Sequence, residues 1–183
     1  MIRMGDSSMT ALPPRERVID YCHTNLRTDW MDIFILACCR FMIGTTSGPA
    51  FVPSLYGVPA VLTNWWPPAQ RPFQRSDIFI PKMLRRIEDG ACLTLSEMLC
   101  EPFSHCHSLS YLAHQGVRIE DNDSDVIRDA VAQMLERLDG HQESKKQLAD
   151  TRARADQIFE DHEAYGMAEL ADGFIERHAD LIS

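Results

Sequence analysis

Short apolar runs separated by polar turns give the first third of the chain a pattern of strand, helix and strand. The segments 18–21, 40–43 and 60–63 each predict a strand. The segment 29–39 carries apolar residues at positions 30, 33, 34 and 37, and this spacing predicts a helix that begins near Asp29. A second helix is predicted from Pro49 to about Tyr56. Strands that alternate with helices predict a parallel sheet.

The rest of the sequence predicts more helix than strand. Ile2 reads as the end of a strand that enters a loop, and Ser96 is placed to cap a short helix. Extended segments are predicted at 78–81 and 116–119, and helices at 124–138, 144–162 and 167–181. Apolar residues of the last two helices are expected to pack on the rest of the protein, namely Phe159, Leu170, Phe174 and Ile175.

These elements predict an α/β fold with a Rossmann-like parallel sheet, flanked by helices and followed by a helical C-terminal tail. We expect three central parallel strands, near 18–21, 40–43 and 60–63. The predicted domains are a Rossmann-like domain over 1–140 and a helical extension over 141–183 that packs on it.

Composition and charge narrow the functional classes. The chain has 183 residues, of which 45% are hydrophobic and 25% charged, and a formal net charge of −9. An acidic chain of this kind has no row of basic side chains that could neutralise the phosphates of a nucleic acid. We therefore expect no nucleic-acid partner. No apolar run is long enough to predict a transmembrane segment.

The six cysteines form no Cys-x-x-Cys pair, which favours reduced thiols and a cytoplasmic protein. The run from His105 to His107 contains adjacent metal-ligand types without a second cluster at a suitable spacing. We therefore predict no metal and no cofactor.

The sequence Gly-Thr-Thr-Ser-Gly at 44–48 carries the strongest chemical signal. It lies between a predicted strand and a predicted helix, where backbone N–H groups and the helix dipole favour an anion such as phosphate. Hydroxyl donors come from Thr45, Thr46 and Ser47, and Gly44 and Gly48 allow close approach to the backbone. Ordinary turn and capping roles explain the same residues equally well. Neither the P-loop nor the dinucleotide-binding pattern matches the spacing.

The stretch 18–68 resembles a group of bacterial glycosyltransferases, most clearly in its core "GTTSGPAFVPSLYGVPAVLTNWWPP". The segments "RMGD" before it and "DIFIPKMLR" and "LTLSEML" after it share this resemblance. The similarity continues through "GVRIEDNDSDVIRDAVAQMLERLDG" to "AYGM". It implies the C-terminal, nucleotide-sugar-binding half of the GT-B architecture, in which two Rossmann-like domains enclose the active site. The partners implied are a nucleotide-sugar donor and an N-terminal GT-B domain, missing from this chain or carried by a partner chain.

The resemblance also implies roles for individual residues. The "IRMGD" motif is similar to a strand-end motif of fucosyltransferase-like enzymes. The similarity implies that Arg3, together with Asp6, lies at the donor diphosphate. The alternative is that Arg3 is a surface arginine at a frayed terminus. Glu97 is expected to accept hydrogen bonds from ribose hydroxyls, with a helix-terminus carboxylate as the alternative. Trp65 and Trp66 are interpreted as a buried cluster, and Lys82 as a solvated lysine.

Two functions from different classes follow. The first is a nucleotide-sugar-dependent glycosyltransferase, or its donor-binding half, which transfers a sugar to an acceptor that the sequence does not identify. The second is a Rossmann-like module that binds a nucleotide or a partner without catalysis. The residues single out no catalytic group.

Overall fold

A four-stranded parallel sheet lies at the centre of the protein, seen in a computed structural model that describes residues 1–141 and 146–182. The strands of the described residues are β1 (Ile2–Arg3), β2 (Ile19–Asp20), β3 (Met42–Gly44), β4 (Ala60–Trp65), β5 (Ile78–Pro81), β6 (Met83–Arg86), β7 (Val117–Glu120) and β8 (Glu169–Leu170). The central sheet has the order β3-β4-β5-β8. Strands β1 and β2 form a separate parallel pair, and β6 and β7 an antiparallel pair.

Helices flank this sheet, as expected for a Rossmann-like fold, and the predicted fold class is confirmed. They are α1 (Asp29–Cys38), α2 (Val52–Leu55), α3 (Leu95–Leu99), α4 (Leu109–His114), α5 (Ser124–Leu138), α6 (Ala149–Asp161) and α7 (Asp172–Arg177). Single 3-10 turns lie at Tyr21–His23, Gly48–Phe51, Lys146–Leu148 and Ala179–Leu181.

The strands β3 and β4 are neighbours, as predicted, and Met42 pairs with Ala60 in parallel register. All four residues of β5 are buried, so a segment predicted only as extended is a central strand. Continuous apolar sequence is typical of parallel strands because both faces of the sheet are covered. Helix α5 packs on β4 and β5 through a stripe that includes Val126, Ala130 and Met134.

The prediction that 18–21 is a central strand was wrong. Strand β2 pairs with β1 in register Ile2–Ile19, outside the central sheet. Its position is held at the chain terminus, where the Met1 ammonium donates to the Arg17 carbonyl oxygen at 2.7 Å. Ile19 is 54% exposed, so this strand has too little buried apolar surface to lie within the core.

Helix boundaries follow the capping chemistry. The side-chain oxygen of Thr28, rather than Asp29, caps α1 by accepting from the Met31 N–H at 3.1 Å. Thr94, rather than Ser96, caps α3. The helix predicted over 49–56 is a 3-10 turn that continues into α2, and Gly57 follows it at φ +70°, where glycine is unstrained.

The tail is less helical than predicted. Helix α6 lies within the predicted 144–162 segment, of which residues 144 and 145 are outside the described residues. The helix predicted over 167–181 is correct only in its central part, because Glu169 and Leu170 form β8 against β5 before α7 begins. The predicted boundary at 140 stays a prediction, although the segment after it contributes a strand to the sheet. The four apolar tail residues expected to pack inward are buried, as predicted: Phe159, Leu170, Phe174 and Ile175.

One buried arginine fastens this tail to the rest of the protein. Arg71 is 8% exposed; its Nε donates to the Ala168 carbonyl oxygen at 2.5 Å, and its Nη2 donates to Asp156 at 2.6 Å. The guanidinium also lies 4.9 Å from the ring centre of Phe159, within range of a cation–π interaction. A single side chain therefore connects the loop after β4 with α6 and with the residue before β8.

The tail also approaches the backbone next to Arg71 very closely. Gly166 has φ +112°, and a Cβ placed there would lie 2.1 Å from the Arg71 carbonyl oxygen and 2.5 Å from that of Pro72. The N–H groups of Met167 and Ala168 both donate to the Pro72 oxygen. Only a residue without a side chain fits here.

We predict that Gly166→Ala lowers the free energy of unfolding by about 2–4 kcal/mol, because both the φ angle and the steric contact oppose a Cβ. The matched control is Gly140→Ala, which has φ +71° but no atom within 4 Å of the added Cβ. It should cost only about 1 kcal/mol. Urea denaturation of the three proteins measures the difference, and equal destabilisation by both substitutions would contradict the close approach.

A buried carboxylate links the starts of two central strands. Asp77 is 1% exposed and accepts a hydrogen bond from the Ala60 N–H at 2.8 Å. Burial raises the pKa of Asp77 from 3.8 to about 6, although its backbone hydrogen bonds oppose the shift. Between pH 3.8 and about 6, the folded protein therefore holds this proton more tightly than the unfolded chain does.

The raised pKa of Asp77 predicts a pH-dependent stability. The stabilisation is fully present below pH 3.8 and is lost as the pH rises through about 6, because the folded protein must then hold the buried charge. Asp77→Asn keeps an oxygen that can accept from Ala60 and has no charge to titrate. Across pH 4–7, the wild type should lose about 2–3 kcal/mol relative to Asp77→Asn, as measured by urea denaturation. Parallel stability curves for the two proteins would contradict this account.

Candidate functional site

The turn at 44–48 lies directly after β3, at the carboxyl end of a strand in the central parallel sheet. Thr45, Ser47 and Gly48 are exposed, and Thr46 is half-buried. Among the described residues, no acceptor is found for the backbone N–H groups of Thr46 and Ser47. Ligands of open α/β sheets bind at this end of the strands. The turn therefore presents two adjacent free backbone donors at the expected place.

The hydroxyl groups of the turn divide into those that hold its shape and those that remain available. Thr45 donates to the Asn64 carbonyl oxygen at 3.2 Å, and Thr46 accepts from the Trp66 N–H at 2.9 Å. Because Thr46 Oγ1 is the acceptor in that bond, its own proton is free to be donated. The Ser47 hydroxyl has no partner among the described residues and does not cap the following 3-10 turn.

Two asparagines, Asn64 and Asn122, form a hydrogen-bonded pair at the same end of the sheet. The sequence did not predict this pair. Asn64 has φ +50°, and its side-chain oxygen accepts from the N–H of Asn122 at 2.7 Å and from its Nδ2 at 3.0 Å. Asn122 Nδ2 also donates to the Pro81 carbonyl oxygen at 2.8 Å. Asparagine adopts a positive φ more readily than most residues, but the two partners are 58 positions apart. No local pattern joins them.

The ends of β4 and β5 carry the side chains that were interpreted as structural. Trp65 and Trp66 are 2% and 8% exposed, which agrees with a buried aromatic cluster. Lys82 follows β5 and forms an ion pair with Asp121, so it is a paired lysine rather than a fully solvated one. The ammonium retains two further donors.

Arg3 lies at the carboxyl end of β1 and is held in place by acceptors of its own chain. Its Nη1 donates to Asp20 and to the Thr10 carbonyl oxygen, both at 3.0 Å. Among the described residues, none accepts from Arg3 Nε or Nη2, so part of the guanidinium remains available. The Asp6 carboxylate accepts from the Ser8 N–H at 2.7 Å, and hydrogen bonds from Ser8 lower the pKa of Asp6.

Glu97 occupies a different environment, next to β6. One of its oxygens accepts from the Thr94 N–H at 2.8 Å, completing a capping box, and the other pairs with Arg86 at 2.5 Å. The Thr94 N–H, followed by the positive charge of Arg86, lowers the pKa of Glu97. These contacts match the helix-terminus alternative, and the ribose role stays a prediction.

A cavity of about 690 Å³ opens beside Glu97. Its lining includes Arg86, Leu93, Phe103 and Val117, but none of the residues of the 44–48 turn. Within residues 1–141 and 146–182, no hydrogen bond or ion pair joins Glu97, Arg3 or Asp6 to that turn. The structure thus brings Gly44 to Gly48 together, and places the other three predicted residues in their own local networks.

One group of potential metal ligands occurs among the described residues, at Asp20, Cys22 and His23. The Asp20 carboxylate already accepts from Arg3, from the Leu12 N–H at 2.9 Å and from the Cys22 thiol at 3.3 Å. The adjacent guanidinium repels a cation, so the charge arrangement does not favour a metal. All six cysteines are free thiols.

No protein-family model, no curated protein and no solved structure matches this chain. Within the part of the chain that the structure describes, no helix is both long and apolar enough to cross a membrane.

Proposed function

We propose that the protein is the donor-binding half of a bacterial, cytoplasmic, nucleotide-sugar-dependent glycosyltransferase of GT-B architecture. The observation that carries this proposal is the exposed turn at the carboxyl end of β3, with two unpaired backbone N–H groups. The Rossmann-like sheet and the sequence resemblance support the same function. The acceptor and a second Rossmann-like domain would complete the active site.

In this proposal the turn holds the donor diphosphate. The N–H groups of Thr46 and Ser47 and the free hydroxyl protons of the same residues supply four donors to phosphate oxygens. No metal is required, because donors of this kind stabilise the negative charge that develops on the leaving nucleotide. Thr45 and Asn64 act by fixing the shape of the turn against β4.

Arg3 would add a positive charge to the site. Its Nε and Nη2 donors can reach a ligand without breaking the bond from Nη1 to Asp20, since a guanidinium carries five N–H groups. Asp6 lies in the loop that follows β1. Glu97, with the cavity beside it, would accept from ribose hydroxyls in place of Arg86.

We predict that Ser47→Asp weakens binding of nucleoside diphosphates by about tenfold or more, because the added carboxylate repels phosphate. Isothermal titration calorimetry with a panel of nucleoside diphosphates measures the change. Ser110→Asp is the matched control: this exposed serine lies in the first turn of α4, where an added carboxylate is tolerated. Equal affinity of Ser47→Asp and Ser110→Asp would overturn the assignment of the turn.

The second candidate is a module that binds a nucleotide or a partner without catalysis. It is favoured by the ion pairs of Arg3 with Asp20 and of Lys82 with Asp121, which reduce the positive charge available to a donor. A transfer assay separates the two candidates.

We predict that this chain alone transfers sugar from a nucleotide-sugar donor poorly or not at all, since holding donor and acceptor together supplies much of the rate enhancement. Addition of an N-terminal GT-B domain, fused or in trans, should restore turnover, measured as release of nucleoside diphosphate with and without acceptor. Rapid transfer by the chain alone would contradict the half-enzyme proposal. Diphosphate binding without turnover in the reconstituted protein would favour the second candidate.

A further inference from the structure

The outer face of α1 carries large apolar side chains that nothing in the described structure covers. Trp30, Ile33 and Phe34 are 69%, 42% and 46% exposed, although the 30, 33, 34, 37 spacing is that of a face that packs. The only buried residue of α1 is Leu36, which does not belong to this face. The aromatic rings of Trp30 and Phe34 stack with their centres 5.2 Å apart.

A groove of about 340 Å³ runs beside this face, between α1 and the end of α2. Every residue that lines it is apolar or aromatic: Trp30, Ile33, Phe34, Ala37, Cys38 and Tyr56. Leu55, next to Tyr56, is 81% exposed. We call these seven residues the α1 face. A contiguous apolar surface of this kind on a protein marks an interaction site.

The size of the α1 face fits contact with an equal face. A fully exposed aromatic side chain offers about 150–250 Å², so the exposed fractions of these side chains correspond to about 500–600 Å² per copy. Two such faces in contact would bury about 1,000–1,200 Å², which reaches the lower limit for a specific protein–protein interface. A much smaller partner surface would leave part of the face uncovered.

Charge favours a second copy at this particular place. The chain has a net charge of −9, so two copies repel each other wherever carboxylates face carboxylates. The α1 face has no charged member and lets two copies meet without that repulsion.

We propose that two copies of this chain associate through the α1 face, with the two α1 helices packed antiparallel about a twofold axis. Such an isologous contact uses the same patch on both copies and closes at a dimer. The stacked Trp30 and Phe34 rings lie at its centre and exclude water from the groove.

Sedimentation velocity between about 1 and 200 μM tests the association. The wild type should shift from monomer to dimer as the concentration rises, and the double variant Trp30→Gln, Phe34→Gln should dissociate at least about tenfold more readily. The matched control is Leu109→Gln, Tyr111→Gln, which removes two exposed apolar side chains from α4. That control should dimerise like the wild type.

Two native thiols give a second readout that does not depend on mass. Cys38 lines the groove, whereas Cys100 lies at the end of α3 and does not line it. Both thiols are exposed. Alkylation of Cys38 by N-ethylmaleimide should slow severalfold at high protein concentration, whereas alkylation of Cys100 should not. In the Trp30→Gln, Phe34→Gln variant, Cys38 should react equally fast at both concentrations.

A wild-type protein that stays monomeric up to 200 μM would overturn the proposal. A dimer that persists in the α1 variant, or that is lost in the α4 control, would place the interface elsewhere and overturn it as well. Circular dichroism of each variant establishes that the substitutions leave the fold intact, which is expected because all four side chains are exposed.

Discussion

The attachment of the C-terminal segment by Arg71 is the interaction on which the completed fold depends. A buried guanidinium is costly unless its donors are paired, and here a carbonyl oxygen, a carboxylate and an aromatic ring supply the partners. Each partner comes from the last 30 residues of the chain. The same contact brings Gly166 against the neighbouring backbone and so sets where β8 begins. Sheet, helix α6 and tail therefore meet at this one side chain, beside the pairing of β8 with β5.

A small number of hydrogen bonds also fixes the turn after β3. A flexible loop would lose conformational freedom on binding a ligand, and this loss would weaken the affinity. The bonds from Thr45 to Asn64 and from Trp66 to Thr46 hold the turn in one conformation before any ligand arrives. Asn122 in turn holds Asn64. The turn is thus held by hydrogen bonds to residues 64 and 66 at the end of β4, which lie outside the turn itself.

The elements that could be predicted from the sequence are those whose signal is local. Helix α5 matches its predicted bounds because its apolar stripe repeats over four turns, and β3 and β4 follow from short apolar runs beside glycine and proline. Strand β8 has two residues and exists because it meets β5, some 90 positions earlier. Its sequence alone resembles the start of a helix. Helix α4 and strand β6 also escaped prediction, since both depend on pairing with or packing on β7.

The same division holds for the candidate site. The position of the 44–48 turn after a strand followed from glycine, hydroxyl and apolar spacing. The sequence could not show which polar side chains are already paired within the protein. Thr46 meets its partner 20 residues later, and Glu97 is held by Arg86 on another element. Hydrogen-bond partners distant in sequence decide which donors a ligand can use, and those partners leave no periodic trace.

The edge position of β8 has a consequence for how the protein is made. Strand β5 has β4 on one side, and its other side is paired by residues 169 and 170, which leave the ribosome about 90 residues after it. During that interval the apolar Ile78-Phe79-Ile80 segment has an open edge able to pair with another chain. Nascent chains on neighbouring ribosomes would then compete with the chain's own tail for β5. A slow or interrupted synthesis of the last 15 residues would expose the most hydrophobic strand of the sheet to aggregation.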